Sequence, residues 1–342
     1  MTPPPHRMPA EWEPHAATWL GWPHNKTDWP GKFEPIPWVY GEIVRHLAAS
    51  ERVRLLVNSS GHKAAANKYL KRVGVDLGRV HFLRFPTNRG WTRDFGPIFV
   101  RRGNALAIAR FHFNGWAKYP DWKKDDQIPV RAAKQFKLPL IDGEIVLEGG
   151  SIDVNGRGTL ITTEECLLDP KVQTRNPGMS RLDLEDVFRD TLGITNTLWL
   201  HRGIAGDDTH GHVDDLCRFV NPGTVVLCRE DNPKDVNYKP LAENRERLQG
   251  MRLETGRAVE VIDLPMPTPL LFDGVRLPAS YANFYIANTA VLVPTFNDPK
   301  DRIALGILAE CFPDRPVVGI HAVDLVWGLG TLHCLTQQEP AP

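Results

Sequence analysis

The chain has 342 residues, with 41 Lys+Arg against 41 Asp+Glu, so it carries no net formal charge and lacks the basic excess of a nucleic-acid or anionic-membrane binder. Hydrophobic residues at 42% and charged residues at 24% describe a soluble globular core, not a disordered chain. There is no apolar run of about 18 residues to span a membrane, and the opening residues lack a basic-then-apolar leader, so a cytoplasmic protein is expected.

A helical pattern over residues 37–50 leads into a strand over 52–58, followed by a helical pattern over 62–73. Residues 97–114 read as a hairpin turning at Gly103-Asn104, and residues 144–163 as a second, turning around Asn155-Gly-Arg-Gly158. A helix over 181–193 and a strand over 197–201 come next. A third hairpin spans 212–228 with Asn221-Pro-Gly223 at its tip, followed by a helix over 239–256 and a strand over 258–264. The fourth hairpin, 283–296, turns at Asn288-Thr289 and precedes a helix over 299–311, a strand over 316–321 and a glycine-bearing segment over 325–338. Hairpin, helix and strand therefore recur in that order. Units of this kind, each too small to fold alone, predict a closed ring and one domain over residues 1–342. A doubly wound sheet is the rival, but it predicts single strands alternating with helices.

Four polar, glycine-rich stretches sit at the edges of these hairpins: Trp91-Thr-Arg-Asp-Phe-Gly-Pro97, Leu147-Glu-Gly-Gly150, Gly206-Asp-Asp-Thr-His-Gly-His-Val-Asp-Asp215 and Gly328-Leu-Gly-Thr-Leu-His-Cys-Leu-Thr336. A ring would bring such edges together at its axis. If the third stretch is a strand, Asp208, His210, His212 and Asp214 share one face. A metal held by His210 and His212 is then one alternative; surface or core histidines are another. The five cysteines include no Cys-x-x-Cys pair and are expected to be reduced. Cys334, between His333 and polar residues, is the one placed for chemistry, whereas Cys166, Cys217, Cys228 and Cys311 lie in apolar runs and read as packing residues. Asp94 and Glu148 have the ordinary readings of a capping carboxylate and a strand-end residue. Taken together, one thiol, one imidazole and three carboxylates suit a cationic substrate. A guanidinium fits: carboxylates can hold its N–H fork, a thiolate can attack its carbon, and an imidazole can move the protons.

The chain resembles the family of agmatine deiminases and bacterial, Porphyromonas-type, peptidyl-arginine deiminases. The resemblance runs nearly end to end, through Met8-Pro-Ala-Glu-Trp-Glu-Pro-His15, Trp22-Pro, Asp28-Trp-Pro30, the Trp91–Pro97 and Leu147–Ser151 motifs, Gly211-His-Val-Asp214, Ser280-Tyr-Ala-Asn-Phe-Tyr285 and His333–Pro340. It implies an α/β fold, a five-bladed pseudo-symmetric propeller (pentein) of ββαβ repeats. It also implies Cys334 as nucleophile, His212 as general acid/base, Asp94 and Asp214 clasping the guanidinium, and Glu148 orienting His212. Trp91 and Asp208 are implied as substrate contacts, Trp91 with a plain core role as its rival. The implied reaction is hydrolysis of agmatine to N-carbamoylputrescine and ammonia through an amidino-thioether on Cys334, in polyamine (putrescine) synthesis. No metal or organic cofactor is implied. The implied partner is the small cationic guanidino substrate, with no nucleic acid or membrane; a homo-oligomer is allowed but not specified. Peptidyl-arginine or another guanidino compound is the alternative substrate. An amidinotransferase is a nearer rival; the more distant ones are a metal-dependent amidohydrolase and a non-catalytic binding protein on the same fold. Three departures bear on substrate: Gly328-Leu-Gly-Thr331 stands where the family usually has Gly-Gly-Gly-Asn, Asp208-Thr-His210 where agmatine enzymes often show Glu-Thr-Asn, and the stretch after Phe113-Asn-Gly-Trp116 is short.

Overall fold

The computed structural model describes residues 6–342; residues 1–5, part of the stretch read above for a leader, lie outside the described residues. Five sheets repeat one plan, in which two antiparallel strands are followed by a helix and then by a strand parallel to the second. The first complete unit is Ile98–Arg102, Ala105–His112, helix Ile128–Phe136 and Leu140–Val146. The second is Asp153–Val154, Thr159–Thr163, helix Arg181–Leu192 and Asn196–Leu200. The third is Cys217–Asn221, Thr224–Arg229, helix Tyr238–Gly250 and Glu260–Pro265. The fourth is Tyr285–Ile286, Val291–Thr295, helix Pro299–Cys311 and Val317–His321.

The fifth unit is split across the chain. Its first strand is Thr336–Pro340, which pairs antiparallel with His15–Gly21 from the other end of the sequence. Helix Ile36–Leu47 and the parallel strand Arg52–Leu56 complete it, and helix Ser60–Arg72 carries the chain to an extra parallel strand, Val80–Leu83. The glycine-bearing segment 325–338 thus forms no local hairpin. The partner strand lies more than 300 residues away, beyond the reach of any local pattern. Residues 144–163 are likewise not one hairpin: Leu140–Val146 closes the preceding sheet, and only 153–163 turns back on itself. Helix Tyr238–Gly250 stops before the expected residue 256, because residues 253–257 form a turn in which Leu253 N–H donates to the Arg257 carbonyl (2.9 Å).

The alternation of each hairpin places apolar side chains between sheet and helix. Trp19, Trp22 and Trp29 are fully buried there, and Trp12 packs against the same core. Trp38 stays 42% exposed on its helix. Cys166, Cys217 and Cys228 are buried as expected, but Cys311 is only half-buried, since it ends an amphipathic helix. No helix among the described residues is long and apolar enough to cross a membrane.

Candidate active site

The inner ends of the strands are short turns, and these bring the four polar stretches together. Trp91 begins the single helical turn Thr92–Phe95 that carries Asp94. Glu148 precedes the turn Gly149–Ser151, His212 precedes the turn Val213–Asp215, and Cys334 lies in the turn Leu332–Leu335. The stretch around His212 is therefore irregular and not a strand, so Asp208, His210, His212 and Asp214 do not share a face. His210 adopts a left-handed backbone (φ 64°). Its Nε2 lies 2.9 Å from Asp169 Oδ2, away from His212. The two histidines of the metal alternative thus point to different partners.

Cys334 lines a cavity of about 380 Å³ together with Trp91, Asp94, Trp116, Asp208 and Gly330. Only 6% of Cys334 is exposed. Its Sγ receives an N–H from Asn283 Nδ2 (3.1 Å) and lies 3.7 Å from Asp214 Oδ2. The other Asp214 oxygen is 4.0 Å from His212 Nδ1, so thiol and imidazole flank one carboxylate. His212 is enclosed behind the cavity, with Nδ1 also 3.7 Å from Asp94 Oδ1 and Nε2 3.6 Å from Glu148 Oε2. Neither ring nitrogen has a hydrogen-bond partner within bonding distance, although both are buried. Buried polar groups are rarely left so unless chemistry uses them.

Burial pushes the Cys334 thiol well above its ordinary value, and Asp214, Asp215 and Asp94 push it further. For His212, burial favours the neutral ring, but Asp94, Cys166 and Glu148 outweigh it and favour the imidazolium. Asp94 is raised to about 6 by burial first, with Asp214 and Glu148 adding to it and His212 opposing. Asp94 also accepts hydrogen bonds from Trp116 Nε1 (2.9 Å) and Gly150 N (3.0 Å). Burial would raise Glu148 as well, but Arg175 brings it down to about 2. Arg175 Nε donates to both Glu148 oxygens (3.1 and 3.3 Å), and both side chains are fully buried.

All five residues expected to be catalytic thus converge. Trp91 also lines the cavity, its ring centroid 5.2 Å from that of Trp29. Asp208 lines it too, but both its oxygens are engaged, by Lys118 Nζ (2.5 Å) and the Tyr119 hydroxyl (2.7 Å). Several contributors were not singled out from sequence. Arg175 sits in a polar loop that reads as surface. Asn283 holds the nucleophile's turn through Oδ1, which accepts from Thr331 Oγ1 (2.8 Å) and His333 N (3.0 Å). His333 bridges Asp214 Oδ2 (2.7 Å) and Glu11 Oε2 (2.8 Å). Glu11 in turn pairs with Arg93 and Arg218, each at 3.0 Å. Two trios of donor atoms lie close enough to share an ion: Glu148, Cys166 and His212, and Asp214, Asp215 and Cys334. In the first of these Glu148 already pairs with the Arg175 guanidinium. Neither trio contains His210.

A sequence profile of Porphyromonas-type peptidyl-arginine deiminases matches residues 7–340. An agmatine deiminase of Stutzerimonas stutzeri is 37% identical, the match covering 98% of this chain and 95% of that protein. The solved structure of the agmatine deiminase of Enterococcus faecalis superposes with a TM-score of 0.91 at 30% identity, covering 98% of this chain and 96% of that one. A substrate-bound agmatine deiminase of C. jejuni gives a TM-score of 0.88 at 31% identity over 98% and 96% of the two chains. These likenesses span the ring from end to end, and with them the α/β pentein architecture.

Proposed function

Because this chain belongs to the Porphyromonas-type peptidyl-arginine deiminase family, we propose that it is a cysteine hydrolase of the guanidinium C–N bond, with agmatine as substrate and N-carbamoylputrescine and ammonia as products. The observation that carries the reading is a cavity lined by Cys334 and Asp94, with Asp214 within 3.7 Å of the thiol and His212 within 3.7–4.0 Å of both carboxylates behind it. Asp94 and Asp214 hold the planar cation by charge-assisted hydrogen bonds. Its positive charge offsets the carboxylates that raise the Cys334 thiol, so binding substrate favours the thiolate. Sγ, its proton released to solvent as the cation binds, then attacks the guanidinium carbon. His212, held as imidazolium by Asp94 and Glu148, protonates the departing nitrogen, and the C–N bond breaks to release ammonia. Water adds to the amidino-thioether and gives its proton to His212, and cleavage of the C–S bond returns the thiol and yields a urea. General acid–base work of this kind is worth about 10²–10⁴ in rate. None of these steps requires a metal or an organic cofactor. The relatives named above are agmatine deiminases, and a cavity of about 380 Å³ has room for a small guanidino compound. The reading places the enzyme in polyamine synthesis.

The test is ammonia release from agmatine, arginine and a peptidyl-arginine ester measured side by side, with and without chelator. Agmatine is expected to lead by at least about tenfold in kcat/KM. Activity survives chelation and falls at least about 10³-fold in Cys334→Ala. Urea-type product without an added amine acceptor excludes amidino transfer. No ammonia from any of the three sinks the deiminase reading.

A further inference from the structure

The cavity lined by Cys334 and Asp94 is lined by three more carboxylates, Asp28, Asp121 and Asp208. They are not equivalent. Asp208 is a clasp: Lys118 takes one oxygen and Tyr119 the other. These two donors sit on a segment bent through three successive left-handed residues, Gly115 (φ 69°), Trp116 (φ 58°) and Ala117 (φ 52°). Such a turn is costly for residues with a Cβ and needs anchors of this kind. Gln173 Nε2 adds another, donating to the carbonyls of Trp116 (3.0 Å) and Asp208 (3.1 Å). Asp208 is therefore occupied with shaping the wall. Asp121, whose side chain is 38% exposed, pairs with Arg89 (3.0 Å) at the rim.

Asp28 differs from both. It is only 7% exposed. Its Oδ1 is fixed by Arg89, but its Oδ2 is buried and has no hydrogen-bond partner. A buried carboxylate oxygen without a donor costs free energy unless a ligand supplies one. Burial raises Asp28 to about 7 although Arg89 and Trp91 favour its carboxylate, and a cation bound against it would draw it to the ionised form. Arg89 is held in turn between Asp28 and Asp121, with its guanidinium 4.3 Å from the Tyr119 ring centroid, which fixes the direction in which Asp28 presents its free oxygen.

The geometry points to Asp28, and not Asp208, as the residue that reads the far end of the substrate: its free Oδ2 accepts the ammonium of an aminoalkyl guanidine whose guanidinium lies at Asp94 and Asp214. This inference rests on the deiminase reading and deepens it, because it makes a cationic tail the preferred substrate class. The experiment compares agmatine with butylguanidine, which has the same four-carbon chain and no amine, in the wild type, Asp28→Asn and Asp208→Asn. In Asp28→Asn the ratio of kcat/KM for agmatine over butylguanidine is expected to fall about tenfold or more, with kcat for butylguanidine little changed. In Asp208→Asn both substrates should weaken in parallel, leaving the ratio within about twofold. Asp28→Glu, which keeps the charge, should restore much of the ratio, and that separates tail recognition from loss of the Arg89 pair. A ratio unchanged in Asp28→Asn, or one that collapses only in Asp208→Asn, overturns the assignment. Calorimetric binding of both ligands to Cys334→Ser supplies a readout without turnover. If the wild type releases no ammonia from either compound, the deiminase reading fails, while an amine preference of Cys334→Ser that Asp28→Asn removes would still support Asp28. Equal binding of the two ligands would overturn it.

Discussion

Asp94 can hold a guanidinium only as a carboxylate, and burial makes that state costly, raising its ionisation to about 6. In the free enzyme, kcat/KM should therefore fall as pH drops through about 6, because protonated Asp94 loses its charge and part of its acceptor capacity. Trp116 Nε1 favours the ionised form by donating to Oδ2. Trp116→Phe removes that donor, so the acid limb should move to higher pH by about one unit, the worth of one hydrogen bond to a charged group. A pH profile of kcat/KM measures it, and an unmoved limb would assign that ionisation to another group. At this scale the sequence was informative for residues whose chemistry is conspicuous in apolar, glycine-rich surroundings, namely Cys334, His212, Asp94, Asp214 and Glu148. It was uninformative where a residue's meaning depends on its partner. Arg175 is 27 residues from Glu148, and Glu11 is 322 from His333. No local pattern announces either pair.

The turns that carry the site are so tight that two glycines act as spacers. A Cβ on Gly150 would come within 2.6 Å of His212 Nδ1, 2.8 Å of Asp94 Oδ1 and 3.1 Å of Asp214 Oδ2. A Cβ on Gly330 would press on Trp91 and on Cys334 itself. Gly150→Ala should leave a folded protein that is destabilised by about 1–3 kcal/mol. Its kcat should drop about 10²-fold or more, because displacement of reacting groups by ångströms is severe. Gly250→Ala, where nothing lies within 4 Å of the added carbon, is the control and should match the wild type. Equal activity in the two variants would show that the Gly150 turn has slack. Among the elements, hairpins with at least one strand of five or more residues were legible, as were the helices between them. The hairpin Leu271–Arg276, turning at Asp273-Gly274, was not, since its two strands have only two residues each and carry no alternation. The stretch 206–215 was misread because its even spacing of acids and histidines imitates a strand, while Gly206 and Gly211, at φ 93° and 94°, keep it irregular.

For the molecule as a whole, the decisive joint is the pairing of Thr336–Pro340 with His15–Gly21. Glu339 locks it from inside, accepting from Arg54 Nε (2.5 Å), Arg54 Nη2 (2.6 Å) and Trp19 Nε1 (2.8 Å), and its pair with Arg54 is nearly buried. Removing one partner of such a pair leaves a buried charge uncompensated, so Glu339→Ala should cost about 3–5 kcal/mol. Thermal or denaturant unfolding would show this, with KM unchanged in the fraction that remains folded; a stability equal to wild type would mean that the joint is held elsewhere. The closed ring was legible as a repeat, but its seam was not, because periodicity counts units without saying which one is shared by the two ends of the sequence. The seam also sets an order of events. Contacts between residues some 320 apart carry the largest loop-closure cost in the chain and should form late in folding. Cys334 stands two residues before the sealing strand, so the proposed nucleophile is docked by the same step that seals the ring. A newly made chain therefore acquires its reactivity last, and a partly assembled one holds an idle thiol.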